Sequence, residues 1–476
     1  MFRSCGLLFG ILITPILTFP ATARELNLPW LSEEKQTPSQ GSSSRDLANE
    51  LGGNTNPTGL AVGNALHKNT LDLRDAVAIA VNRHPSIISA ALAVTEQEGQ
   101  VDITSAGYYP KISAGMNSGR VSAYGNGQVA SLSVSQMLHD FGKVSGSVTQ
   151  AKGQMLKQQA LLLKQIDTIA EQTAEAMLEV HRQQSLLKIS RGQVKAVQEV
   201  LEMVQLRANS GLISQSDYVQ ASTRLQSAQA NTQQVMTLLG QWRARLSTLV
   251  GNPLPAAVAD PPAELEHSAR LENAPDYTIL PDILAAEADR HSAYGQLENA
   301  KAQRYPTIAL EASANQAITG TNPSNGEEHG SYNTLMLTGS MLLYQGGAVS
   351  AQIRSATAAI SRAESNINDA RLSAEDLLLR TREQAIGTRM RLGILGQRMA
   401  TMMETRALYR DQFSVGTRSV LDLLNAEQEV YQAAADLEIT RHDFWRALMT
   451  YINAAGYSRE AYGLNNTSIQ QIEIQQ

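Results

Sequence analysis

Two periodicities alternate along this chain, and the alternation runs twice. No proline interrupts Lys143 to Ser210, and none interrupts Ala348 to Ser414. These runs of 68 and 67 residues predict helices about 100 Å long at 1.5 Å per residue. Each is followed by a glycine, Gly211 or Gly416, where a tight turn is expected, and then by a return helix to about Val250 or Ala455. The return stretches carry seams of 3-4 spacing in register with each other: Tyr218, Ala221, Leu225 and Ala228 in one, Leu423, Ala426, Val430 and Ala433 in the other. Small residues dilute both seams, so the helices should approach closely and curve as a layer. The return helix 212–250 and a helix over 276–303 match in total the length of one long helix. This predicts that those two stack end to end beside it.

Ahead of each long helix the period falls to two. Lys111 to Ser118 is followed by a glycine-rich turn at Gly125-Asn126-Gly127 and then by Gln128 to Leu138. There Ala130, Leu132, Val134 and Leu138 share a face, with Ser131, Ser133 and Ser135 opposite. In the second set Ile308, Leu310, Ala312 and Ala314 alternate with Thr307, Glu311 and Ser313. Leu335, Leu337, Met341 and Leu343 alternate with Thr334, Thr338 and Ser340. One apolar and one small polar face predicts half-buried strands, and runs of about ten residues fit tilted strands crossing a bilayer.

The two sets are an internal duplication. Gly142-Lys143-Val144-Ser145 matches Gly347-Ala348-Val349-Ser350, Gly211–Asp217 lies over Gly416–Asp422, and Gly251 falls on Gly456, each offset by 205 residues. Tyr109-Pro110 matches Tyr305-Pro306 at an offset of 196. The difference, 9 residues, places an insertion in the polar stretch Thr321 to Glu328. The organisation read this way is a signal peptide over 1–23 and a flexible leader over 24–69. A first repeat follows over 70–252 (hairpin 110–141), then a linker over 253–275, a second repeat over 276–457 (hairpin 306–345) and a C-terminal tail over 458–476.

Composition narrows the function. Aromatics are 5% and charged residues 18% of 476 residues, which suits long, thinly packed helices better than an enzyme core. A net charge of −6 without a dominant basic patch gives nucleic-acid binding no support. Arg3, the apolar run Leu7 to Leu17 and Ala21-Thr22-Ala23 form a secretory signal with the cut expected before Arg24. The single cysteine, Cys5, lies inside it, too early for a lipid acceptor, so no disulfide is expected. No later run reaches the length of a spanning helix, so a membrane portion would have to be strand. The eight histidines, at 67, 84, 139, 181, 267, 291, 329 and 442, show no metal spacing in the sequence, and no catalytic motif is present. No enzymatic activity, cofactor or metal is expected.

Four strands cannot close a barrel, and an open edge is not tolerated in lipid. Two chains would give eight strands with a filled interior, whereas three would give twelve and a lumen. The duplication, the Tyr-Pro start of each hairpin and the run Phe413-Ser414-Val415-Gly416-Thr417-Arg418-Ser419-Val420-Leu421-Asp422-Leu423-Leu424 resemble the TolC outer-membrane efflux family over residues 70 to 457. The fold class so implied is mainly α with a membrane β portion. It is a homotrimeric periplasmic α-barrel continuous with a 12-stranded outer-membrane β-barrel, four strands coming from each chain. The resemblance also implies a periplasmic adaptor and an inner-membrane pump, either an ABC transporter or a proton-driven efflux pump. Type I secretion of a protein is the leading reading and small-molecule drug efflux its runner-up. A coiled-coil envelope scaffold is the reading of another class, which the lipid-type strands oppose.

The same resemblance assigns residues. Asp422 matches an acidic position of the entrance constriction. Arg418 matches an arginine tying neighbouring tip helices, partnered at the positions of Ser216 and Asp217. Phe413 and Asn425 stand where a well-known member has Tyr and a second Asp, so one hydroxyl and one acidic ring are missing here. Gly211, Leu212, Gly416 and Thr417 match the turns where adaptors dock. Tyr109, Phe141, Tyr305 and Tyr344 flank the strands, as aromatics at a lipid–water interface do.

Overall fold

The computed structural model describes residues 70–121, 125–273, 275–321, 326–465, 468–469 and 472–473. The expected signal peptide, the leader and residues 322–325 of the insertion lie outside these residues.

Two helices of 67 residues dominate, α3 over Lys143–Asn209 and α7 over Ala348–Ser414. Each begins behind a left-handed glycine, Gly142 at φ 104° and Gly347 at φ 83°, which lets the chain turn sharply from strand into helix. In the first repeat Asp140 supplies the cap. Its buried carboxylate accepts the N–H groups of Gly142 at 3.0 Å and Val144 at 2.6 Å, two donors that no helical carbonyl reaches.

The shorter helices are α1 (Leu73–Arg83), α2 (Pro85–Ser105), α4 (Gln215–Val250), α5 (Glu264–Ala269), α6 (Pro281–Ala302), α8 (Val420–Ala454) and α9 (Ser458–Ala461). Helices α2 and α4 lie along one flank of α3, while α6 and α8 fill the space between α3 and α7. This corrects the stacking expected from length alone: each return helix is in line with the short helix of its own repeat. The reason is local. Because α2 and α6 run straight into the hairpins, they must occupy the strand-proximal half beside α3, leaving the distal half to α4 and α8. Cross-links fix the levels, with Lys157 to Asp289 and Lys164 to Asp282 joining α3 to α6. Further along, Glu171 bonds Asn453 of α8. The close approach expected of small residues occurs where α3 meets α6. A Cβ on Gly146 would lie 2.5 Å from the Asn299 nitrogen, and one on Gly153 2.5 Å from that of Ser292.

The strands β2 (Lys111–Val121), β3 (Gly125–His139), β5 (Thr307–Thr321) and β6 (Glu328–Ser340) form one antiparallel sheet in the order β2-β3-β5-β6. One register row runs Ser113, Ser133, Ser313, Thr334, and the next runs Ile112, Val134, Ala312, Leu335. The faces therefore separate as alternation requires. Ile112, Met116, Leu132, Leu335 and Leu337 stand exposed on one. The other is mostly polar, with a row of small hydroxyls in which Ser313 and Thr334 are bonded at 2.7 Å, though it also carries Glu311 and Met336. Two expectations shift. Gly125 to Gly127 belong to β3 rather than to a turn, and the connection falls on residues 122–124, outside the described ones. Gly127 is needed because a Cβ there would meet the Thr319 carbonyl of β5 at 2.9 Å. Met341 and Leu343 lie beyond β6, and Leu343 is 87% exposed, so the last alternating positions mark a connector.

The main hydrophobic core sits midway along the helices. There Val77 and Ala80 of α1, Ile166 and Ala170 of α3, Leu246 of α4 and Leu448 of α8 are all buried. A belt surrounds it. The two-residue strand β1 (Thr70–Leu71) pairs in parallel with β4 (Ala257–Val258) of the linker, and α5 packs on α8. Residues 458–464, expected as tail, belong to this core: Ser458, Ala461, Tyr462 and Leu464 are buried. Among the described residues no single helix is long and apolar enough to cross a membrane.

Candidate functional site

At the end of α3 and α7 opposite the sheet, the chain makes two turns built alike. Gly211 at φ 70° and Gly416 at φ 81° follow the long helices. The Leu212 N–H donates to the Arg207 carbonyl at 2.9 Å and that of Thr417 to Gln412 at 3.0 Å, the long closing bond of a Schellman cap. The return helices then start on serines. Ser214 accepts from the Ser216 N–H, and Asp217 reaches back to the Ser214 N–H at 3.3 Å, a capping box. Ser419 accepts from the Asp422 N–H at 3.1 Å, and its hydroxyl donates to the Asp422 carboxylate at 2.8 Å. Ser216, Asp217 and Asp422 thus each have a local structural task at the first turn of a return helix.

A small apolar cluster holds the two turns together: Val197, Val200 and Val204 of α3, Ala221 of α4, Phe413, and Val420, Leu423 and Leu424 of α8. Phe413 is 2% exposed, so it anchors the tip rather than presenting its ring. Its backbone is gripped by Arg207, which donates to the carbonyls of Phe413 and Ser414 at 2.9 Å each while its guanidinium lies 4.4 Å from the Phe413 ring centre. Sequence reasoning passed over Arg207. Its signal was a basic residue in the last turn of a helix, where orphan carbonyls attract cations; that it serves the other helix's carbonyls needed the fold.

Arg418 stays within its own hairpin. It stacks 4.3 Å from the Tyr409 ring centre, donates to Gln412 at 2.9 Å and lies 3.7 Å from the Asp422 carboxylate. No bond among the described residues joins it to Ser216 or Asp217 within one chain. Asn425 accepts from Arg224 of α4 at 3.1 Å, and the same guanidinium reaches Gln428 at 2.5 Å, so Arg224 is a second clasp between the return helices. Leu212 and Val415 remain exposed at the turns.

At the sheet end, Tyr109, Phe141, Tyr305 and Tyr344 are all exposed. Phe141 stacks on Tyr305 with ring centres 5.2 Å apart, and His139 meets Phe141 edge-on at 4.4 Å. The histidines, scattered in sequence, are not all scattered in space: His181 and His442 come to 2.8 Å in mid-helix, a pair no spacing rule would find.

A family model for outer membrane efflux proteins matches residues 77–252 and 280–456, one match on each repeat. The outer membrane efflux protein BepC of Brucella suis is 23% identical over 401 residues, covering 81% of this chain and 85% of BepC. The alkaline protease secretion protein AprF of Pseudomonas aeruginosa is 23% identical over 334 residues, covering 68% and 69%. Among solved structures, the outer membrane protein VceC of Vibrio cholerae superposes with a TM-score of 0.70 at 18% identity, over 81% of this chain and 96% of VceC.

Proposed function

This chain belongs to the outer membrane efflux protein family, and on that premise we propose that three copies close into one duct whose load is a secreted protein. The chain is a non-enzymatic channel protein of the outer membrane, extending into the periplasm, and its family serves tripartite export systems with an adaptor and an inner-membrane pump. The trimer rests on open edges. Strands β2 and β6 each pair on one side only. Helix α7 buries 8 residues against 23 for α3 of equal length, and it exposes Leu372, Leu379, Met390 and Ile394 on its free flank. A second copy that covers α7 and pairs β6 with β2 removes both liabilities.

For the load, the observation that carries the reading is the inner face of the sheet. Its row of small hydroxyls, Ser113, Ser133, Ser313 and Thr334, gives a passing polypeptide hydrogen bonds with few apolar sites to stick to. Likeness to a protease secretion protein supports it. Drug efflux is the second reading, favoured by the longer match to an efflux protein. Deleting the gene tests the choice: one or a few proteins should vanish from the culture supernatant while drug susceptibility stays constant. Raised susceptibility with an unchanged supernatant would overturn the secretion reading.

The tip is the proposed gate. Arg418 is proposed to tie to Ser216 and Asp217 of the neighbouring copy, Asp422 to line the narrowed entrance, and Phe413 and Asn425 to support the tip by packing and by a polar contact. Gly211, Leu212, Gly416 and Thr417 are proposed to receive the adaptor, supported by the exposed Leu212 and Val415. Tyr109, Phe141, Tyr305 and Tyr344 are proposed as the membrane-interface aromatics at the sheet–helix junction.

A further inference from the structure

Midway along the duct wall, far from both tip and sheet, α3 and α8 bring two imidazoles face to face beneath the linker. His181 Nδ1 lies 2.8 Å from His442 Nε2. The outer nitrogen of each ring is held. His442 Nδ1 is 2.8 Å from the Glu438 carbonyl, and His181 Nε2 is 2.7 Å from the Asp260 carboxylate. Both of those partners are acceptors, so both outer nitrogens carry hydrogens. Each ring therefore directs its remaining nitrogen at the other, and two lone pairs cannot share 2.8 Å without a positive species between them. A proton is one such species and a metal ion is the other.

We propose that His181 Nδ1, His442 Nε2 and the Glu438 carboxylate bind a divalent transition-metal ion of the zinc class. Each of the three residues brings a ligand atom within 4.8 Å of the other two; the Glu438 carboxylate lies 3.6 Å from His442 Nδ1, so it turns toward the Nε2 side to complete the set. The outer hydrogen bonds, one to a carboxylate and one to a backbone carbonyl, are the arrangement that orients metal-bound imidazoles and raises their basicity. Two imidazoles at zinc–nitrogen distances of ~2.0 Å stand about 3.3 Å apart in a tetrahedron; with ring centres 5.1 Å apart the two nitrogens face each other head-on, so metal entry parts them by about half an ångström and tilts both rings toward a common point. The site opens on a cavity of about 660 Å³ lined also by Ser185, Tyr431 and Trp445, which leaves a fourth position to water. Two of the cations around it are drawn off by carboxylates, Arg406 by Glu427 at 3.7 Å and Arg182 by Glu179 at 3.2 Å, while Lys188 lines the same cavity and opposes an ion there. Arg441 does compete, holding the Glu438 carboxylate at 2.8 Å. A metal here would fasten α3 to α8 and, through Asp260, the linker to both.

The test is binding of Zn²⁺, with Co²⁺ as the spectroscopic probe, to untagged, chelator-treated full-length protein in detergent. The expected result is one ion per chain and a visible Co²⁺ band of tetrahedral intensity. Since His442 is 1% exposed and its replacement risks the fold, the chief variant is the more accessible His181→Gln, checked by an unchanged melting profile; it should abolish the band. Asp260→Asn should weaken binding about tenfold, and Arg441→Gln should tighten it. No stoichiometric uptake by the unaltered protein, or a band that survives His181→Gln, overturns the proposal.

Discussion

Arg207→Ala is the sharpest test of how the tip is held. Arg207 satisfies two carbonyls at the end of α7, Phe413 and Ser414, at 2.9 Å each, and covers the Phe413 ring. A hydrogen bond from a charged donor contributes about 1.5–3 kcal/mol. The lower figure applies here, and the bond to Ser414, which is exposed, contributes less still. Adding a cation–π contact of about 0.5–1 kcal/mol, the substitution should cost the tip about 2–3 kcal/mol. The loss is local, because the tip cluster is separate from the main core. Hydrogen exchange followed by mass spectrometry on the full-length protein should then show amides of residues 408–416 opening roughly 30- to 140-fold faster, since 1.4 kcal/mol is about tenfold. Amides of α1 and the middle of α3 should be unchanged. Arg207→Lys keeps the charge but not the fork and should fall between. Less than a threefold change at the tip, or an equal change in the core, would refute the assignment of Arg207 as the clasp.

Other outcomes follow from the same structure. Arg418→Ser, which removes both the Tyr409 stack and the 3.7 Å contact to Asp422, should raise single-channel conductance in planar bilayers. Asp422→Ala should reduce block by multivalent cations, and unchanged values for both variants would reject the gate. Burial pushes the Asp167 carboxyl up to about 6 from 3.8, although Arg459 and Ser458 pull it down. A folded value above the unfolded one means the stability is fully present below pH 3.8 and is lost as pH rises through 6, about 3 kcal/mol in all. The melting temperature of Asp167→Asn should fall less than that of the unaltered protein as pH rises through that window, the two differing most above pH 6; parallel pH profiles would count against this. An epitope at Asn325, outside the described residues, should be labelled on intact cells if the insertion is an extracellular loop, whereas labelling only after the outer membrane is opened would reverse the topology.

Much of the architecture was legible because it is written in period and punctuation. A proline-free run bounded by Gly142 and Gly211 can be little else than a long helix, and alternation of Ser133 with Leu132 and Val134 commits a strand to two faces. The duplication, at an offset of 196 residues before the insertion and 205 after it, made the two halves interpret each other. What failed was where local pattern and neighbour disagree. Gly125 to Gly127 have turn composition, yet the approach of β5 requires a residue without a side chain at Gly127. Alternation at Met341 and Leu343 outruns the sheet because β6 pairs only to Ser340.

By itself the sequence determined the elements, their order, their repetition and the need for further copies to cover an open sheet. These follow from backbone sterics and the burial of one face, which act within a few residues. Only the tertiary structure decided which short helix lies in line with which, since equal lengths permit several pairings and the chain's immediate passage from α2 and α6 into strand permits one. It alone decided that Arg207 caps the other helix, that Arg224 holds Asn425, and that His181 meets His442 across 261 positions of chain. Hydrogen bonds and imidazole pairs act over about 3 Å of space, and no periodicity along a chain encodes which distant residues will come that close.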